Sequence, residues 1–138
     1  MQKVSQEAYL NEFQIITEEM YETTKRKNSD YTGDDGDAFK NFTMVEAMGA
    51  GTTEMGFFTR MTDKMMRFAG FIRNGTLKVA DEKIEDTILD LAVYCILFVC
   101  YRRSQKRAEA LNELNHRSGQ GSSTPFKVET IDPNSSTG

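Results

Sequence analysis

Apolar residues recur at helical spacing along three long stretches of this chain, and a strand-like alternation is found only weakly near the C-terminus. Tyr9, Phe13, Ile16 and Met20 stand at i, i+4, i+7 and i+11, behind Ser5 as an N-cap and Glu7 in the first turn, and predict an amphipathic helix over 5–28. Its outer face carries Glu12, Glu18, Glu19 and Glu22, then turns basic at Lys25, Arg26 and Lys27, which complements the dipole at the helix C-terminus. Phe58, Met61, Met65, Phe68 and Ile72 predict a second long helix, capped by Thr52 or Thr53 with Glu54 in its first turn and stopped by Asn74-Gly75. The third opens near Asp81 and runs to about Arg117.

The third helix organises the rest. Glu82, Asp86 and Asp90 fall at i, i+4 and i+8, on a face that continues into Val93, Tyr94, Leu97 and Tyr101. Ile84, Ile88, Leu91, Cys95 and Phe98 form a second stripe, so from Leu91 onward the helix reads as apolar all round and therefore central and buried. Carboxylates pointing the way apolar side chains point require basic partners, a metal ion or a ligand, because an unpaired buried carboxylate is costly. Beside the apolar stripe of the second helix, Arg60, Lys64 and Arg67 form a basic row, with Asp63 placed to pair with Arg60 or Arg67.

Between the first two helices, residues 28–42 (NSDYTGDDGDAFKNF) break the helical period with Asn, Ser, Asp and two glycines and predict a loop. It combines four aspartates with Tyr31, Phe39, Phe42 and Asn41, but lacks the closing glutamate of a calcium-binding EF-hand. A short helical turn is expected at 44–48, ended by Gly49 and Gly51. The fold predicted is all-α: a helical bundle of three main helices with a motif-bearing loop. Three helices with one apolar all round bury it better as a homo-oligomer than as a monomer. The domain spans 1–117, and the Gly/Ser-rich segment 118–138 reads as a flexible polar tail.

Composition narrows the partners. A chain of 138 residues supports one domain, and a net charge of −4 argues against duplex nucleic acid as a direct partner. Cys95 and Cys100, five apart on one helix, cannot bond to each other and read as buried reduced thiols, which suits a cytoplasmic protein. Leu91–Tyr101, at 11 residues, is too short to cross a membrane, and the N-terminus has no signal-peptide pattern. His116, the sole histidine, lies at a helix end away from the other candidates.

In order and spacing, KNSDY (27–31), DAFKNF (37–42), RMTDKMMRF (60–68) and DEKIEDTILDLAVY (81–94) resemble the nucleotide modification associated domain 1 family of bacteriophages and some bacteria. The resemblance covers about residues 15–100 and implies a nucleotide-related role on a helical fold distantly like the all-α nucleoside triphosphate pyrophosphatases. Those enzymes hold magnesium with an EExxE and an ExxD motif. Glu18, Glu19 and Glu22 spell the first here, whereas Glu82, Asp86 and Asp90 are spaced by four and lie about 60 residues downstream. By motif match the positions implied are Lys27, Asp30, Tyr31, Asp37, Phe39, Asn41, Asp63, Lys64, Arg67, Glu82, Asp86, Asp90 and Tyr94.

Carboxylates at i, i+4 can hold a magnesium ion that takes further ligands from phosphate oxygens, which gives Asp86 and Asp90, with Glu82, a metal-binding role. Arg60, Lys64 and Arg67 would neutralise phosphate, Tyr31 would stack on a base and Asn41 would meet a base edge. The same acids and bases could instead pair across a helix interface. Three functions follow: a magnesium-dependent nucleotide phosphohydrolase, a non-catalytic nucleotide binder that sequesters a host (cyclic) nucleotide signal in evasion of anti-phage defence, or an interaction protein acting through its tail and the Arg102, Arg103, Lys106 and Arg107 cluster.

Overall fold

The computed structural model describes residues 3–31, 36–77 and 83–120, apart from the side chains of 28–31 and 120. Among them are four helices and no strand: α1 (Gln6–Tyr31), α2 (Lys40–Ala47), α3 (Thr53–Asn74) and α4 (Ile84–Gln120). The all-α class read from periodicity holds. The chain divides into two compact units, Met1–Arg103 and Ser104–Gly138. The first contains α1, α2, α3 and α4 up to Arg103; the described part of the second is the helical run 104–120. No helix among the described residues is long and apolar enough to cross a membrane.

The helix ends follow from local chemistry. Ser5 Oγ accepts a hydrogen bond from the Ala8 amide at 3.1 Å at the start of α1, and Thr52 Oγ1 accepts one from the Met55 amide at 3.3 Å at the start of α3. Gly75, at φ 69, closes α3 in the left-handed conformation that glycine adopts without strain, its amide donating to Phe71 O at 2.8 Å. Three boundaries differ from expectation, the first being that α4 runs on to Gln120 through residues 118–120, which were expected in the tail. α1 continues to Tyr31 through Asn28, Ser29 and Asp30, whose helix propensities are only modestly unfavourable and which precede the first glycine of the segment. α2 begins at Lys40, so Asn41 and Phe42 are helical rather than part of a loop. The Asp37 carboxylate accepts the Phe39 amide at 2.9 Å and the Asp37 carbonyl accepts the Lys40 amide at 3.3 Å, a turn that starts the helix early.

The core is aromatic. Among the described residues the buried hydrophobic ones are Phe42, Phe57 and Tyr101, with Phe39, Met61, Tyr94, Leu97 and Phe98 packed against them. Phe42 of α2 lies parallel to Phe57 of α3, ring centroids 3.8 Å apart and planes 4° apart. On α4, Phe98 meets Phe57 edge-on at 5.3 Å and Tyr101 meets it tilted at 5.5 Å. The anchor of α3 is thus Phe57, one position before the stripe that periodicity singled out, whereas Phe58, Met65 and Ile72 of that stripe are exposed. On α1, likewise, Tyr9 and Phe13 are exposed, and only Ile16 and Met20 of the row are half-buried.

α4 is not buried all round. Cys95 and Cys100 are free and exposed rather than buried, and Ile96 and Val99 are about half exposed. The side of α4 that meets α2 and α3 is the one bearing Tyr94, Leu97, Phe98 and Tyr101. Of the other stripe that periodicity identifies, Phe98 reaches the core and Ile84, Ile88 and Leu91 are half-buried, while Cys95 is exposed.

α2 and α3 are tied at their junction. The Thr53 hydroxyl donates to Glu46 Oε2 at 2.7 Å and the Thr53 amide donates to the same oxygen at 3.2 Å. Thr53 is fully buried, so the carboxylate from the end of α2 satisfies a buried hydroxyl and an otherwise open donor at the N-terminus of α3, where negative charge is favoured. Glu46→Ala is expected to lower stability by about 1–3 kcal/mol, and Glu46→Gln, which keeps an acceptor oxygen, by less; thermal melts followed by circular dichroism compare the two.

Candidate functional site

Where α1, α2, α3 and α4 of the first unit converge there is a cleft of about 660 Å³, a size typical of small-molecule sites. Its apolar floor comes from Met20, Phe42, Leu89, Val93, Tyr94 and Leu97, and its polar groups are Glu19, Thr23, Thr24 and Lys27 on α1, Asn41 on α2, Arg60 on α3, and Asp86 and Asp90 on α4. The i, i+4 step places Asp86 and Asp90 one turn apart on the face of α4 that also bears Val93, Tyr94 and Leu97. The same step places Glu19, Thr23 and Lys27 on one face of α1.

Asp90 is engaged from two sides. Lys64 of α3 sits 3.0 Å from its Oδ2, with a side chain only 13% exposed, and Lys27 of α1 stands 3.7 Å from Oδ1. The pairing of helix acids with the basic row is therefore real for Asp90, which ties α3 and α1 to α4. Removing its charge leaves Lys64 with little access to water and no carboxylate among the described residues, so Asp90→Asn is expected to lower stability by about 1–2 kcal/mol, between the values for exposed and fully buried pairs. A denaturant titration measures it.

The basic row divides three ways. Lys64 pairs with Asp90, and Arg67 lies 3.4 Å from Asp63 one turn earlier on the same helix. Arg60 lines the cleft. Neither Arg60 nor Asp86 has an ion-pair partner among the described residues, and the Asn41 amide has no hydrogen-bond partner there. Three polar groups on three helices, one cationic, one anionic and one amide, thus face one cavity with their bonding capacity open. The Tyr94 ring stands edge-on to Phe42 at 6.1 Å in the wall beside them.

Of the residues singled out in the sequence, Lys27, Asn41, Arg60, Asp86, Asp90 and Tyr94 meet at this cleft, while Lys64 holds Asp90. Asp37 forms the turn before α2, and Phe39 packs edge-on against Tyr101 at 5.7 Å in the core; neither lines the cavity. The side chains of Asp30 and Tyr31, and all of Glu82, lie outside the described residues. Glu19, read from the sequence both as part of a solvated face and as part of an EExxE spelling, lines the cleft, and Thr23 and Thr24 beside it were not singled out. The signal was present in the spacing of Glu19 from Thr23 and Lys27, a polar stripe adjoining the apolar row that ends at Met20.

Magnesium was expected at Glu82, Asp86 and Asp90. Among the described residues no three acidic, cysteine or histidine side chains converge as a metal ion needs, and both Asp90 oxygens face ammonium groups. Glu82, the third of the expected set, lies outside the described residues. Comparison with protein-family models, with curated proteins and with solved structures gave no match.

Proposed function

We propose that the cleft binds a nucleotide or nucleotide-derived small molecule, which it holds rather than turns over. The observation that carries this reading is the convergence of Arg60, Asn41 and Asp86, each open to a partner among the described residues, on a cavity with an apolar floor. Arg60 suits a phosphate, which a guanidinium can bind through two parallel hydrogen bonds. Lys27, mostly exposed and only loosely paired at 3.7 Å, adds positive charge at the α1 wall. Asn41 offers both donor and acceptor to a base edge, and Asp86 accepts hydrogen bonds from a base amine or a sugar hydroxyl. The floor at Tyr94, Leu97 and Val93 provides the apolar contact that a base face requires. The resemblance of the four sequence motifs to a nucleotide-related family supports a nucleotide among phosphorylated ligands.

The test is isothermal titration of the purified chain with linear and cyclic nucleotides, together with mass spectrometry of small molecules released on heat denaturation. Arg60→Ala is expected to weaken binding of the best ligand by about 10- to 100-fold, the size of a charge-assisted contact, with the melting temperature of the free protein unchanged. Chromatography of the same mixtures with magnesium should return every nucleotide intact. Turnover would replace the binding reading with a hydrolytic one, and no binding by any nucleotide would sink both.

A further inference from the structure

α3 presents a second apolar face that no element among the described residues covers. Met55, Phe58, Thr62, Met65, Ala69 and Ile72 follow one another at alternating steps of three and four, the spacing of a coiled-coil seam. Met55, Phe58, Met65 and Ile72 are each half to two-thirds exposed, and so is Met66 on the flank. The charged residues between the helix ends, Arg60, Asp63, Lys64 and Arg67, all fall off this seam, Lys64 turned inward to Asp90 and Arg67 beside Asp63. An exposed helical seam more than two turns long without a charge is unusual for a face that meets only water.

We infer that this seam pairs with the same seam of a second copy of the chain, antiparallel about a two-fold axis. The order of the side chains carries the choice of partner. Reversing the helix on itself sets Met55 opposite Ile72, Phe58 opposite Ala69 and Thr62 opposite Met65, every first-type seam position meeting a second-type one as antiparallel packing requires. The largest ring thus meets the smallest side chain, and each contact occurs twice, as a two-fold interface demands. A parallel arrangement would set Phe58 against Phe58 and Ala69 against Ala69, crowding one layer and hollowing another. The five exposed side chains offer about 100 Å² each. Two copies would together cover about 1,000 Å² from these residues alone, the lower bound of a specific interface.

The experiment is sedimentation of the full chain across micromolar concentrations, with cysteine cross-linking in a Cys95→Ala, Cys100→Ala background. The wild type should sediment as a dimer. Phe58→Glu and Met65→Glu, both at exposed positions, should be monomers with undiminished helical signal. Under copper–phenanthroline oxidation the double variant Thr62→Cys, Met65→Cys should run as a disulfide-linked dimer, whereas Met55→Cys alone should not, since its mate is Ile72. A wild type that stays monomeric overturns the proposal, as does a dimer that persists in both glutamate variants. Linkage through Met55→Cys alone, which marks a parallel pair, also overturns it. The cross-linking arm reads the arrangement even where a glutamate variant fails to fold.

Discussion

Phe57→Ala is expected to abolish the cooperative thermal melt or bring it close to room temperature. Phe57 is 1% exposed and stacks on Phe42 while touching Phe98 and Tyr101, so one ring joins α2, α3 and α4. Truncating a buried phenylalanine to alanine costs about 3–5 kcal/mol, against a total of about 5–15 kcal/mol for an ordinary domain. This core contains three buried hydrophobic residues among those described, of which Phe57 alone is fully buried, and this places the total at the low end. Phe57→Leu keeps most of the volume but loses the parallel ring contact, and should fall between wild type and alanine. Urea titration followed by circular dichroism ranks the three; equal midpoints for wild type and Phe57→Ala would show that the core lies elsewhere.

The second large effect is at Gly56. A β-carbon there would stand 3.2 Å from the Phe42 carbonyl oxygen, 3.2 Å from Val45 Cγ2 and 3.4 Å from Phe42 Cα. Two of these atoms are backbone of α2 and cannot swing aside as a side-chain tip could. Glycine is normally the weaker residue inside a helix by about 1 kcal/mol relative to alanine, so its presence in a buried turn of α3 reflects the close approach of α2. Gly56→Val adds further carbons into the same space and is expected to cost about 2–3 kcal/mol as overpacking. Gly70, on the same helix with no atom within 4 Å of its would-be β-carbon, is the control: Gly70→Ala should stabilise by about 0.5–1 kcal/mol. Opposite signs for the two substitutions, read from melting temperatures, would separate helix approach from helix propensity.

What the sequence disclosed here divides by range. Local signals were reliable: the caps at Ser5 and Thr52 and the stop at Gly75 depend on neighbours within four residues and stand where they were read. The acid face of α4 was legible as well, since a period of 3.6 is a property of one helix, and it delivers Asp86 and Asp90 to the cleft. The core was less legible. Phe42 lies in a stretch rich in aspartate and glycine, and its burial rests on stacking against Phe57, a contact between two elements that no local pattern shows. Periodicity also named stripes without saying whether a cover exists, so the exposed Cys95, Ile96 and Val99 of α4 read from sequence like the half-buried Leu97 and Phe98. The candidate site mixed both kinds of information. The residue types were visible, but that Lys64 would be taken by Asp90 and Arg60 left open depends on where two helices cross.

Phe42 belongs to both the core and the cleft, stacked on Phe57 in the one and lining the floor of the other. Core integrity and any occupancy of the cavity would therefore be thermodynamically linked. A ligand at 100 times its dissociation constant would add about 2.7 kcal/mol to the folded state, comparable to the expected cost of Gly56→Val. Saturating ligand should accordingly restore a cooperative melt to core variants that lack one, and those variants, ordered only in part of their population, should bind with an affinity reduced by that fraction. With a ligand in the cleft, the aromatic stack would act as a fulcrum between ligand and fold.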